Sequence, residues 1–143
     1  MSMPKSSATH NTDQIALSYL LDKVHDDILV STDSFHFRKP MKNNGVQKHM
    51  DLQTIGQNIV NQVYQSRADY LQDIQKIVDN CVKCKGDDAK HTIYARNMLE
   101  HARIKMKESE HFFIQLEANI VQHLKQAKAN FAECGYDSDT DSE

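Results

Sequence analysis

Two cysteines at C-x-x-C spacing, Cys81 and Cys84, stand directly before Lys85 and Gly86, and His91 follows shortly after. Thiols at this spacing hold zinc when two further ligands complete a tetrahedron, and a lone pair is a weak signal. The remaining thiol, Cys134, falls in the acidic C-terminal stretch. Cys81 sits on the apolar face of a predicted helix, where a thiol behaves as a small hydrophobe. We therefore expect no metal and no cofactor. The eight histidines (10, 25, 36, 49, 91, 101, 111 and 123) include no i, i+4 pair. No H-E-x-x-H, nucleophile elbow or phosphate-cradling glycine loop is present, so the expectation is a non-enzyme. Near the C-terminus, Ser138 precedes Asp141 by three residues and Thr140 precedes Glu143 likewise. That is the acidic pattern used by acidophilic kinases; the other reading is a solvated, solubilising end.

The elements that must position these groups are helical. Asp51 is a good N-cap for a helix whose apolar residues Leu52, Ile55, Ile59 and Val63 share one face. Ser66, with Asp69 three places on, begins a second helix. Its apolar side carries Tyr70, Leu71, Ile74, Ile77, Val78, Cys81 and Val82, and Gly86 followed by two aspartates stops it. Upstream, a helix from about Thr12 to Ser31–Asp33 puts Leu17, Leu20 or Leu21, Val24 and Ile28 on one face. Ser34 to Lys48 reads as a long connection, with Pro40 disfavouring helix at Lys39 and Asn43-Asn44-Gly45 forming a turn. Its apolar residues Phe35, Phe37, Met41 and Val46 would pin it to the body. A last helical pattern runs from His91 or Thr92 to about Ala129, roughly 55 Å at 1.5 Å per residue. The charged stretch Lys105 to Glu110 is where it would leave the core. Its stripe of Phe112-Phe113, Leu116, Ile120 and Leu124 would pack on the first helix or join two copies.

The chain has 143 residues, 26% of them charged, with two prolines and four glycines. So few breaks within long periodic runs argue for one all-α domain. Residues 1–11 are polar and expected to be disordered, 12–130 form the helical domain, and 131–143 an acidic disordered tail. No apolar run approaches a membrane span and the N-terminus has no apolar signal region, so the expectation is an intracellular protein without a membrane partner. Five acids lie between Glu133 and Glu143, which leaves residues 1–132 at +2 within a chain of −3. So weak a positive charge makes no case for nucleic acid.

The order of these elements resembles a bromodomain. Met50-Asp51-Leu52 with Ile55 looks like the family's M-D-L-x-x-I helix start. Tyr64-Gln65-Ser66-Arg67, Asp73 and Asn80-Cys81 look like its Y-x-S…D…N-C track, and Phe35-His36-Phe37 stands where its hydrophobic shelf would be. The resemblance covers roughly residues 12–125. It implies a left-handed four-helix bundle with a long first loop and, here, an extended C-terminal helix. It also implies a pocket between two loops that takes acetyl-lysine: an asparagine donates to the acetyl carbonyl, a tyrosine holds a water, and apolar residues wrap the neutral chain. On this sequence the matching positions are Phe35, Phe37, Val46, Asn80, Cys84, Lys85 and His91.

The departures fall at the pocket. The family's Tyr-Asn pair aligns with Cys84-Lys85, and His91 takes the gating position. Nine residues separate Pro40 from Met50, where the family has a longer wall with a P-D-Y-Y segment, and His49 replaces a proline. A buried ammonium beside an acetyl methyl costs several kcal/mol, so Lys85 is expected to turn to solvent and leave no fixed donor. The resulting expectation is an interaction module of nuclear transcription or chromatin machinery, contacting protein partners, with acetyl-lysine recognition weakened or lost. One alternative is a working reader of acetylated histone tails that uses Asn80, Asn43 or Asn44 as donor. Another is a plain helical scaffold that dimerises through the extended last helix.

Overall fold

The computed structural model describes residues 5–40 and 49–133. Five α-helices follow in order: α1 Lys5–Leu29, α2 Leu52–Val60, α3 Arg67–Lys85, α4 Lys90–Lys107 and α5 Glu110–Glu133. A 3₁₀ turn, Thr32–Phe37, lies between α1 and α2. No strand occurs among the described residues.

Local chemistry sets the starts and stops. Asp51 accepts from the Thr54 backbone N–H at 2.7 Å and from the Thr54 hydroxyl at 2.9 Å, so it caps α2 twice over. Ser66 accepts from the Asp69 N–H at 3.2 Å at the head of α3. Asp69 reaches back one residue further than a capping box requires, to the Gln65 N–H at 2.9 Å. At the other end Gly86 adopts φ +103°, a conformation that side chains disfavour, and its N–H closes on the Cys81 and Val82 carbonyls. The Thr92 hydroxyl then donates to the Gly86 carbonyl at 2.6 Å, and Arg96 pairs with Asp87 across the short loop.

Leu17, Leu21, Val24 and Ile28 of α1 meet Leu52, Ile55 and Ile59 of α2, the Tyr70–Cys81 face of α3, and Ala95, Met98, Leu99, Ala102 and Met106 of α4 in one core. A buried imidazole joins three of these helices. His25 Nε2 lies 2.9 Å from the Leu52 carbonyl, which can only accept, so Nε2 carries the proton. Nδ1 then accepts from the Tyr70 hydroxyl at 2.9 Å. Burial holds the His25 pKa below the ordinary histidine value, against the raising effect of the Leu52 carbonyl and of Asp22 and Asp26. Beside it, the Tyr64 hydroxyl donates to Asp73 at 2.6 Å and accepts from Asn58 at 3.2 Å.

Four expectations need correction. Helix α1 begins at Lys5, so residues 5–11 are helical where their lack of apolar residues argued for disorder; extending an existing helix costs little compared with nucleating one. Val63 does not continue α2, which ends at Val60; Gln62 takes a positive φ and Val63 is exposed. The last helix is not one rod. The Glu108 and Ser109 N–H groups bond three residues back, to Lys105 and Met106, a 3₁₀-type tightening that ends α4 before α5 starts. Finally, α5 continues to Glu133, past the expected end at Ala129.

The α4–α5 pair nevertheless stays on α1. His101 bonds Asp27, the Phe113 side chain shares a crevice with Leu20 and Val24, and His123 faces Asp13, so the two run antiparallel over their length. Phe113 and Ile120 are buried and Leu116 is partly buried, while Phe112 and Leu124 are exposed. The inner half of the stripe thus packs on the first helix.

Candidate functional site

Most of the candidate side chains are brought together by two connections at one end of the bundle. Between α1 and α2, the Ser34 hydroxyl donates to the Ser31 carbonyl at 2.8 Å, and Arg38 donates both to Ser34 Oγ at 3.2 Å and to the Ser31 carbonyl at 3.3 Å. These bonds close the 3₁₀ turn on itself, and the turn packs against α4. Side chains three apart eclipse in a 3₁₀ helix, so Ser34 and Phe37 both point inward. Phe35 is turned away by the same geometry. It is 65% exposed, with the Arg38 guanidinium 5.5 Å from its ring, and does not line the cavity described next. Its placement in the hydrophobic shelf is therefore wrong. An extended loop would have put residues 35 and 37 on one side; a 3₁₀ turn does not.

A cavity of about 310 Å³ lies between this turn, the residues leading into α2, the last turn of α3 and the first turn of α4. Phe37, Asn80, Cys84, Lys85 and His91 line it, as do His36, His49, Met50, Ile77 and Cys81. Five of the seven expected pocket residues are thus gathered in one place. Val46 lies outside the described residues, as do Asn43, Asn44, Cys134, Ser138 and Thr140. Asn80 and Cys84 share the wall because positions i and i+4 of one helix lie on the same face, and Lys85 joins them at the rim as the last residue of α3. Lys85 is exposed at the rim, and neither it nor the Asn80 carboxamide has a hydrogen-bond or ion-pair partner among the described residues.

The mouth is aromatic. The His36 and His91 rings lie 4.4 Å apart, His36 stacks on Tyr94 at 5.9 Å, and Phe37 meets His91 edge-on at 6.4 Å. Desolvation, reinforced by the charges of His36 and Lys85, holds the His91 pKa below the usual histidine value. The mouth is therefore a set of close aromatic rings, His36 tilted against His91 and stacked on Tyr94, with the Lys85 ammonium beside them. His36 went unrecognised in the sequence as a pocket residue, although the F-H-F triplet was an available signal, and His49 was noted only as the replacement of a proline.

Burial pushes the Cys81 thiol up, and the neighbouring Cys84 adds to the effect against Lys85, so Cys81 stays protonated and is a poor nucleophile. Among the described residues no three His, Cys, Asp or Glu side chains are placed to share a metal ion. Nor, among them, is any helix long and apolar enough to cross a membrane.

Comparison with known proteins agrees with the architecture. A family model described as Bromodomain matches residues 21–97. The chain is 38% identical over 128 residues, 85% of its length, to Transcription initiation factor TFIID subunit 1 of Drosophila melanogaster. It is 30% identical over 114 residues, 75% of its length, to the protein of the same name from Caenorhabditis elegans. It spans about 6% of each of these relatives.

Proposed function

The chain belongs to the bromodomain family, and from that premise we propose that it is a non-enzymatic protein-interaction module of nuclear transcription machinery in which acetyl-lysine recognition is weakened or lost. One observation carries the reading: Lys85 stands on the cavity wall at the position where the family presents a neutral carboxamide. An ammonium is strongly hydrated and gives up that water only for an anion or a strong dipole, so a neutral acetyl group is a poor exchange. Cys84, at the neighbouring position, has no hydroxyl to hold a bridging water. The kept helical core beside a changed pocket fits a scaffold that contacts other proteins of a transcription complex. The similarity to TFIID subunit 1 supports a nuclear setting and partners drawn from initiation machinery.

Titration with acetylated and unmodified histone-tail peptides tests this. The expected result is no acetylation-selective binding at micromolar concentrations. Micromolar, acetylation-selective binding would overturn it in favour of a second reading, a working acetyl-lysine reader. The Asn80 carboxamide favours that alternative, since it also lines the cavity and has donors to offer.

A further inference from the structure

The cavity is retained although the group that greets acetyl-lysine is replaced. Its polar lining has one sign. Lys85 contributes a fixed positive charge, His36, His49 and His91 contribute ionisable rings, and no Asp or Glu is among the described lining residues. Of the two acids in the adjoining loop, Asp87 is paired with Arg96, and Asp88 is exposed and does not line the cavity. Phe37 and Ile77 supply apolar wall on the inside. An apolar slot whose rim carries a cation with no ion-pair partner among the described residues suits a chain of methylenes that ends in an anion. Its volume, about 310 Å³, sits at the lower end of the range for small-ligand pockets, roughly 300–1,000 Å³, and suits one modified side chain.

We infer that this cavity takes a lysine acylated by a dicarboxylic acid, such as succinyl- or glutaryl-lysine, with its terminal carboxylate on the Lys85 ammonium and its methylenes along Phe37 and Ile77. The inference rests on the reading of the pocket as a bromodomain pocket with its acetyl-lysine preference lost. It explains why a pocket persists there: the exchange of carboxamide for ammonium changes the acyl group read, from neutral to acidic. An unmodified lysine is rejected by like charge, and an acetylated one offers Lys85 no anion.

The test is calorimetric titration of the full chain with C-terminally amidated histone-tail peptides of one sequence, unmodified, acetylated, succinylated or glutarylated at the same lysine. An unmodified peptide with a free C-terminal carboxylate serves as the fifth arm. At least tenfold tighter binding of the succinyl or glutaryl peptide than of the acetyl peptide is expected. Lys85→Asn should abolish that preference and Lys85→Arg should keep it, with thermal melting confirming that each variant is folded. Binding of the free-carboxylate peptide alone, or a preference that survives Lys85→Asn, would overturn the inference. If no peptide binds, the inference fails while the loss of acetyl-lysine reading stands. Acetyl binding as tight as glutaryl, at micromolar concentration, would overturn both.

Discussion

Arg67 and Glu117, fifty residues apart, form a two-pronged ion pair: Nε reaches Oε2 at 2.7 Å and Nη2 reaches Oε1 at 2.9 Å, while the Arg67 backbone N–H donates to Oε2 at 2.9 Å. One carboxylate thereby satisfies a free N–H at the head of α3 and clamps α5 onto the bundle. The guanidinium also lies 5.6 Å from the ring of buried Phe113. Burial alone would raise the Glu117 pKa, but the hydrogen bonds and charge of Arg67 outweigh it and hold the carboxyl below its usual range.

Glu117→Ala should therefore loosen α5 without unfolding the core. A loss of about 1–2 kcal/mol is expected, since the pair is bidentate and mostly shielded from water. Hydrogen exchange by mass spectrometry should show faster exchange across α5 and little change in α3 beyond its first turn. Equal acceleration in all helices would refute the clamp.

Tyr70→Phe removes the donor to His25 Nδ1 and leaves a buried acceptor without a partner. The expected cost is about 1–3 kcal/mol, read from urea unfolding, although the two side chains differ by a single oxygen. A variant as stable as the parent would show that the His25 bridge contributes nothing.

Acidification should destabilise the fold. In the folded chain His25 has its pKa below 6.5, so under acid the unfolded state takes up the proton first. Stability from this group is complete above about pH 6.5 and is lost as pH falls toward the lower folded value. Glu117, whose folded pKa is also lowered, adds a further loss below its ordinary value of 4.5. Urea midpoints should thus fall between about pH 7.5 and 5.5, and His25→Gln should flatten that slope. A midpoint that rises on acidification would contradict both the burial and the tautomer assigned to His25.

Gly86→Ala probes the corner that places Lys85. A Cβ there meets nothing within 4 Å, so the cost is one of backbone conformation alone, about 1–3 kcal/mol at φ +103° and ψ 161°, a region essentially confined to glycine. Thermal melting should show a modest drop of several degrees, in the range of roughly 4–8 °C per kcal/mol for a small domain and less for this longer chain. Unchanged stability would mean that the turn relaxes to a conformation other than the one described here.

Where the determining interaction spans three or four residues, the sequence alone was sufficient. Asp51 and Ser66 announced two helix starts because a cap bonds N–H groups within the next turn. Gly86 announced a stop because its conformation is forbidden to its neighbours, and the spacing of Leu17, Leu21, Val24 and Ile28 declared the buried side of α1. The pocket position of Asn80, Cys84 and Lys85 was legible only through the resemblance to the bromodomain family, Asn80 and Cys84 standing one helical turn apart.

Tertiary structure alone decided whatever depends on two distant segments meeting. The Arg67–Glu117 clamp and the bonds from His25 to the Leu52 carbonyl and the Tyr70 hydroxyl join groups 27 to 50 residues apart, and no local pattern encodes such a meeting. The outward turn of Phe35 depends on a 3₁₀ turn that is closed by bonds within residues 31–38 but packed against α4, more than fifty residues on. The gathering of His36, His49 and His91 with Lys85 at one mouth required two connections to close on each other. Hydrogen bonds within a turn are written in residue order, whereas the charge of a cavity is set by whichever residues the folded chain makes neighbours.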